Sequence, residues 1–207
     1  MVKKFNINSI IEGYSQGHFL MSDGDGQPIE WYYTNKRTLI PLDRRFRYPK
    51  SLQRILNQDR FEVRIDTAFE KIVEGCADRP TTWISKELRS LYGELHQAGW
   101  AHSFETWQGD QLAGGILGLA INGVFIGESM FFKIPDGSKV AMVKLVEHLR
   151  SRSFVLFDAQ LMNPHLERFG AFEIDDSSYQ KLLHKGLTTQ CRFGDRQESY
   201  SQAGGNS

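Results

Sequence analysis

The stretch 101-AHSFETWQGDQLAGGILGLAINGVFIGES-129 holds apolar runs that are separated by two short turn sequences. A first run ends at Gly109-Asp110, and the long run 111–121 ends at Asn122-Gly123. Asn-Gly between two apolar runs is the strongest short signal for a β-hairpin, because both residues tolerate the positive φ that a tight turn needs. The stretch therefore predicts three antiparallel strands joined by two hairpins, with the third strand over 124–129.

Helical patterns flank these strands on both sides. Upstream, Asp66 or Thr67 caps one helix and Ser85 opens another, and downstream Ser138 caps a third. Apolar periodicity predicts further strands and helices at 61–65, 154–159, 165–169 and 177–184. This order predicts an α+β fold in which helices flank a mixed sheet, and several α+β topologies share it.

The chain divides into three parts. Residues 1–60 are expected to form a small N-terminal α/β subdomain and residues 61–187 the main domain. Residues 188–207 are polar with almost nothing to bury, so they are expected to be a disordered tail. The N-terminal subdomain should contain a helix, two strands and a second helix that starts with proline, at 7–14, 29–33, 38–40 and 49–57.

The composition is that of a folded globular protein, with 207 residues of which 40% are hydrophobic and 24% charged. The 25 basic and 25 acidic side chains cancel, which excludes a wholly basic nucleic-acid binder but allows a local basic patch. Cys76 and Cys191 are far apart and are expected to be reduced thiols. Since no run is apolar enough to span a bilayer or to act as a secretory segment, we expect a cytoplasmic monomer that binds neither membrane nor metal.

Several short segments between Trp31 and Leu183 carry a resemblance to a known family: Thr82–Ile84, Gly99–Ser103, Gly114-Gly115, Gly127–Phe131, Ser138–Ala141 and Asp158–Gln160. In this order and spacing the chain resembles the leucyl/phenylalanyl-tRNA–protein transferases. The resemblance implies a fold related to the GNAT acyltransferases. It also implies transfer of Leu, Phe or some Met from an aminoacyl-tRNA to proteins that begin with Arg or Lys, which marks those proteins for degradation. No cofactor is implied, because the tRNA ester is already activated.

Asp158-Ala159-Gln160 ends an apolar strand, whose alternation points Asp158 and Gln160 to the same face. The resemblance implies that this pair is catalytic, with Gln160 accepting a hydrogen bond from the attacking amine and Asp158 orienting and activating Gln160. One alternative is that the pair only positions the amine while a tRNA hydroxyl relays the proton. Another is that it satisfies neighbouring loop backbone. Ala159 stands where the family commonly has cysteine, so a thiol at this position is unnecessary.

Gly127-Glu128-Ser129 ends the third strand of the opening stretch. The Glu128 carboxylate can accept hydrogen bonds from the α-ammonium of the aminoacyl group, and Gly127 lets a ligand approach the backbone closely. We count all three residues as substrate-binding. The alternative is a glutamate at a strand end that faces solvent.

A pocket that takes Leu and Phe must be apolar and adaptable. Trp83, Ile116, Phe125 and Met130 are the candidate lining, since Ile116 and Phe125 lie on neighbouring hairpin strands and the flexible methionine tolerates two side-chain shapes. Simple core packing is the alternative for each of them.

Residues 36–64 contain nine basic and three acidic side chains, an excess that suits the phosphates of a tRNA acceptor stem. We assign tRNA binding to Arg37, Arg47 and Lys50, and stacking on the terminal adenine to Trp31. Solvated faces and internal ion pairs are the alternative. The segment before Ile7 is shorter than is usual in the family, which bears on how the N-terminal part grips tRNA.

Two other activities are weighed against the transferase. An acyl-CoA-dependent GNAT-like enzyme needs a basic, glycine-rich turn for pyrophosphate, whereas Lys133–Gly137 has one glycine and an acid. A catalytically silent tRNA-binding module would keep the basic track but needs no arrangement of Asp158 and Gln160. The acceptor's Arg or Lys is expected to meet one of the acidic side chains at Asp158, Glu167, Glu173, Asp175 and Asp176.

Overall fold

The computed structural model describes residues 6–194. Its helices are α1 (Ile7–Ser15), α2 (Lys50–Asn57), α3 (Phe69–Ala77), α4 (Lys86–Gln97), α5 (Gly137–Ser151), α6 (Pro164–Glu167) and α7 (Asp176–Thr188). Its strands are β1 (Phe19–Ser22), β2 (Ile29–Tyr32), β3 (Lys36–Leu39), β4 (Glu62–Ile65), β5 (Ala101–Gln108), β6 (Gln111–Ile121), β7 (Val124–Phe132), β8 (Leu156–Gln160) and β9 (Phe172–Asp175).

The main sheet has seven strands in the order β4-β5-β6-β7-β8-β3-β9. Strands β5, β6 and β7 form the two predicted hairpins, and Asn122 in the second turn adopts φ 50°. Strand β8 returns parallel to β7 after helix α5, while the remaining pairs are antiparallel. The predicted α+β fold, a mixed sheet flanked by helices, is therefore confirmed.

The predicted N-terminal subdomain, residues 1–60, would include strand β3, but this strand is part of the main domain. It lies inside the main sheet, between β8 and β9, and pairs with both. The separate small sheet contains β1 and β2 alone. The N-terminal part that stands apart from the main sheet thus ends before β3.

The apolar side chains of the sheet belong to two hydrophobic clusters, one on each face of the sheet. Helices α1, α3, α4 and α7 cover one face, and α2, α5 and α6 contribute to the cluster on the other. The alternation in β6 shows the division: Leu117, Leu119 and Ile121 belong to the first cluster, whereas Ile116 belongs to the second. Burial on both faces explains why β6 is apolar along nearly its whole length.

The expected disordered tail is ordered at its start. Phe193 is buried, and its ring stacks on Phe125 at a centroid distance of 5.1 Å. The His148 Nε2 lies 2.7 Å from the Phe193 carbonyl oxygen. The composition of this segment is polar and does not predict that its one phenylalanine is buried. The rest of the expected tail, residues 195–207, lies outside the described residues.

Helix α3 has Ala68 at its N-cap, so the cap predicted at Asp66 or Thr67 is wrong, and a side chain from a neighbouring strand instead holds the turn that leads into the helix. The buried Glu105 carboxylate on β5 accepts hydrogen bonds from the backbone N–H groups of Thr67 at 2.9 Å and Ala68 at 2.7 Å. It also accepts from Ser103 Oγ and Trp107 Nε1, both at 2.8 Å. With the Thr67 hydroxyl, which also donates to this carboxylate, five donors compensate the charge for the loss of water.

Glu105→Ala is expected to lower the free energy of unfolding by about 3 kcal/mol or more, because it leaves several buried donors without an acceptor. Glu62→Ala on β4 is the matched control. Its carboxylate is exposed and pairs with Arg64 at the surface, where water screens the pair and its contribution to stability is small. Urea denaturation of both variants measures the difference, and equal losses would contradict the role of Glu105 as the acceptor for these buried donors.

Candidate active site

A cavity of about 230 Å³ opens where the parallel strands β7 and β8 part. Their last paired residues are Ile126 and Asp158, and the segments just beyond them form opposite walls. The lining residues are Met21, Arg79, Trp83, Ile116, Gly127, Glu128, Ser129, Met130, Met142, Phe157, Ala159, Gln160, Leu161, Asn163 and Leu166. Nine of these fifteen residues carry apolar side chains, and the polar groups come from Arg79, Glu128, Ser129, Gln160 and Asn163.

Glu128 reaches the cavity through an irregularity in β7. Gly118 of β6 pairs with Gly127 and Leu117 with Ser129, so Glu128 is an extra residue between two regular pairs. A β-bulge of this kind re-aims a side chain and interrupts the alternation of the strand. The strand could not otherwise place three consecutive residues, Gly127 to Ser129, around one cavity.

The Glu128 carboxylate is buried in a polar network. Tyr92 Oη donates a hydrogen bond to one of its oxygens at 2.9 Å, and Gln160 Nε2 donates to the other at 3.2 Å. The Tyr14 hydroxyl interacts with the same carboxylate. Burial raises the pKa of Glu128 to about 7, against the lowering effect of the hydrogen bonds from Tyr92, Tyr14 and Gln160.

This shift predicts a pH dependence of stability that comes from Glu128. The ordinary pKa of a glutamate is 4.5, so the folded chain binds this proton more tightly than the unfolded chain does. The Glu128 contribution to the free energy of unfolding should therefore be largest below about pH 4.5, decline as pH rises to about 7, and then level off. The total decline should be about 3 kcal/mol.

Glu128→Gln removes this titration and is the reference for the measurement. Urea denaturation at intervals between pH 4.5 and 8 should show the wild-type chain losing stability relative to the variant across that window. A constant difference between the two proteins would contradict the raised pKa of Glu128.

Asp158 lies behind the cavity wall and is fully buried. Arg37 donates to both of its oxygens, through Nε at 2.9 and 3.0 Å and through Nη2 at 2.7 Å. Tyr179 Oη donates at 2.8 Å, and so does the backbone N–H of Gln160. Asp158 therefore contacts Gln160 through the backbone, whereas the Gln160 side-chain amide is bound to Glu128.

Gln160 ends β8 with φ 61°, in the left-handed region that a non-glycine residue rarely occupies. Its side chain lines the cavity, and because Nε2 donates to Glu128, Oε1 can accept a hydrogen bond from a bound molecule. The Glu128 carboxylate and the Gln160 amide that donates to it thus lie side by side at the wall of a largely apolar cavity. Such a site can hold a cationic amine and a hydrogen-bond donor beside an apolar side chain.

Residues 39–184 match the family model described as leucyl/phenylalanyl-tRNA protein transferase, and residues 4–35 match the model of that family's N-terminal domain. The chain belongs to this family. The resemblance and the expectation of an aminoacyltransferase are thereby confirmed.

Among curated relatives named leucyl/phenylalanyl-tRNA–protein transferase, that of Gloeothece citriformis is 66% identical over 91% of this chain and 98% of its own. That of Nostoc punctiforme is 63% identical over 92% of this chain and 99% of its own. A more distant relative from Herpetosiphon aurantiacus is 47% identical over 93% of this chain and 100% of its own. The similarity therefore spans both the N-terminal part and the main sheet.

Most of the site residues predicted for this transferase family line the cavity together: Trp83, Ile116, Gly127, Glu128, Ser129, Met130 and Gln160. Phe125 does not. It is fully buried against Phe157 and Phe193, and its ring covers Gly118, where an added Cβ would lie 2.4 Å from it. The hairpin register explains the correction, since the partner of Ile116 is Met130 and the partner of Phe125 is Ala120.

The predicted role of Arg37 in tRNA binding is also wrong. Only 1% of it is exposed and its guanidinium is bound to Asp158, so it cannot reach a tRNA phosphate. Arg47 and Lys50 are exposed, as their predicted role requires. Trp31 is 37% exposed and packs edge-on against Tyr14.

The two tyrosines of this site are not among the predicted site residues. Tyr92 lies on the buried apolar stripe of α4, and Tyr14 on that of α1. A tyrosine on a buried stripe usually brings its hydroxyl to a polar partner. This rule predicts a polar partner for each of the two hydroxyl groups, and in both cases that partner is Glu128.

No helix among residues 6–194 is long and apolar enough to cross a membrane.

Proposed function

We propose that the chain transfers Leu, Phe and some Met from aminoacyl-tRNA to proteins with N-terminal Arg or Lys, which marks those proteins for degradation. The observation that carries the proposal is the meeting of Glu128 and Gln160, 3.2 Å apart, at the wall of an apolar cavity. Family membership supplies the reaction class, and the cavity supplies a site that fits it.

Glu128 is proposed to bind the α-ammonium of the aminoacyl group. A buried carboxylate that already accepts neutral donors is stabilised further by a cation, so the ester is held in one orientation. The Leu or Phe side chain then lies among Trp83, Ile116 and Met130. Ser129 and the backbone at Gly127 complete the wall beside the ester.

The reaction is aminolysis of an ester. The α-amine of the acceptor, with a pKa near ~8 when free, attacks the ester carbonyl carbon and forms the new C–N bond. Gln160 Oε1 accepts a hydrogen bond from this amine and aligns its lone pair. The C–O bond to the tRNA ribose then breaks, and the leaving 3′ oxygen takes up the proton that the amine loses, either directly or through the neighbouring tRNA hydroxyl.

The tRNA is proposed to run along the exposed basic side chains that follow β3. Arg47 and Lys50 would contact acceptor-stem phosphates, and Trp31 would stack on the terminal adenine. Two members of the basic segment have local partners, since Arg45 pairs with Asp43 and Arg64 with Glu62. The acceptor's Arg or Lys side chain is proposed to meet acidic groups of the C-terminal region.

The assay uses the purified chain, labelled Leu-tRNA or Phe-tRNA, and a peptide that begins with Arg. Transfer of label without added CoA is expected, and the same peptide with an acetylated N-terminus should receive none. Transfer that requires CoA would favour the acyl-CoA-dependent enzyme. Intact tRNA binding without transfer would favour the silent binding module.

One observation weighs against the CoA alternative. Asp136 precedes α5, and its carboxylate binds Lys139 Nζ at 2.7 Å. This ion pair already occupies the first turn of the helix, where such an enzyme would place the pyrophosphate.

A further inference from the structure

We propose that Arg37 and Tyr179 are positioning residues that act through Asp158 to hold Gln160 in its catalytic conformation. This inference rests on the proposed role of Gln160. Neither side chain belongs to the cavity wall, and they lie on different elements, Arg37 on β3 and Tyr179 on α7.

The hydrogen bonds around Asp158 leave it little freedom. Oδ1 accepts from Arg37 Nε at 2.9 Å and from the Gln160 backbone N–H at 2.8 Å. Oδ2 accepts from Arg37 Nη2 at 2.7 Å and from Tyr179 Oη at 2.8 Å. Arg37 and Tyr179 therefore fix the plane of the carboxylate, and one of its oxygens fixes the backbone of Gln160.

Gln160 needs such a constraint because its φ of 61° is unfavourable for a residue with a side chain. The left-handed conformation costs about 1–2 kcal/mol, which the surrounding structure must offset. The ladder between β3 and β8 is irregular at this point, between its Thr38–Gln160 and Leu39–Asp158 pairs, so strand pairing alone does not supply the constraint. A relaxed Gln160 would turn its amide away from Glu128.

Arg37 is itself held on every side. Its guanidinium lies 4.9 Å from the ring centroid of Phe19 and 4.6 Å from that of Tyr179. Its Nη1 donates to the Gly17 carbonyl at 2.8 Å. The planar fork of arginine matches both carboxylate oxygens and the carbonyl at once, which the single ammonium of lysine cannot do. Residues of the N-terminal part, Gly17 and Phe19, thus help to fix a group that bears on Gln160.

The test is a kinetic cycle with Arg37→Lys, Tyr179→Phe and Gln160→Ala, alone and in pairs, in the Leu-transfer assay. Tyr179→Phe keeps the ring and removes only the hydroxyl, which guards against misfolding. We expect Arg37→Lys to lower kcat about 10²-fold and Tyr179→Phe about tenfold, with KM for Leu-tRNA changed by about twofold or less. In the Gln160→Ala background neither substitution should lower kcat further, because the residue that they position is gone.

Arg150→Lys is the matched control. Arg150 donates to the Leu42 and Asp43 carbonyls outside the cavity, so its replacement should lower stability without changing kcat per folded molecule. Wild-type kcat in Arg37→Lys and Tyr179→Phe, with a low kcat in Gln160→Ala, would overturn this inference alone. Equal losses in both backgrounds would also overturn it. An active Gln160→Ala variant would instead overturn the proposed role of Gln160.

Discussion

Gln160→Ala is expected to lower kcat for Leu transfer about 10³-fold while KM for Leu-tRNA changes by about twofold or less. The alanine removes the oxygen that aligns the attacking amine, but it leaves the apolar wall of the cavity in place. The aminoacyl-tRNA should therefore still bind, and the chemical step should fail. Single-turnover transfer from labelled Leu-tRNA, at saturating acceptor peptide, measures this step apart from product release.

Gln108→Ala, an exposed amide at the end of β5, serves as the control and should behave as the wild type. If Gln160→Ala retained kcat within about threefold of the wild type, less than a single neutral hydrogen bond is worth, the proposed alignment of the amine would be wrong.

Glu128→Gln is expected to lower kcat/KM for Phe-tRNA about 10²- to 10³-fold, since it removes a buried charge that pairs with the α-ammonium of the substrate. Tyr92 and Gln160 donate to different oxygens of Glu128, so glutamine keeps the planar shape and one acceptor oxygen, and it loses the charge together with one of the two hydrogen bonds. The informative comparison is with N-acetyl-Phe-tRNA, which lacks the ammonium.

The wild type should use N-acetyl-Phe-tRNA about 10³-fold less well than Phe-tRNA, because the acetylated substrate leaves Glu128 buried without its partner. In Glu128→Gln the two substrates should differ by about tenfold or less. Discrimination that is unchanged in the variant would place recognition of the ammonium elsewhere in the cavity.

The sequence predicted the parts of the fold that depend on local pattern. Apolar alternation and Asn122-Gly123 define the hairpins, and the helices follow their apolar stripes. Strands β1 and β9 are absent from the prediction, because the burial of β1 does not alternate and β9 forms its ladder with the distant strand β3. The place of β3 could not be predicted, because its partners β8 and β9 are more than a hundred residues away and nothing in its own four residues selects them.

The site shows the same division between local and long-range information. The short segments shared with the family predict Glu128 and Gln160 as site residues. The bulge that turns Glu128 into the cavity is not predictable in this way, because it depends on how β6 and β7 pair. Arg37 illustrates the limit most clearly. A basic residue in a basic segment is normally solvated, and only the fold reveals that Asp158, 121 positions later, takes it into the core.

The three rings Phe193, Phe125 and Phe157 form a continuous column. Phe193 stacks on Phe125, which meets Phe157 edge-on at 5.2 Å, and Phe157 lines the cavity. The last described part of the chain is thus linked to the cavity wall through two further rings. Proteolytic trimming before Phe193, or a fusion that pulls this segment off the domain, would remove a packing partner of Phe125 and so weaken the support of the cavity wall.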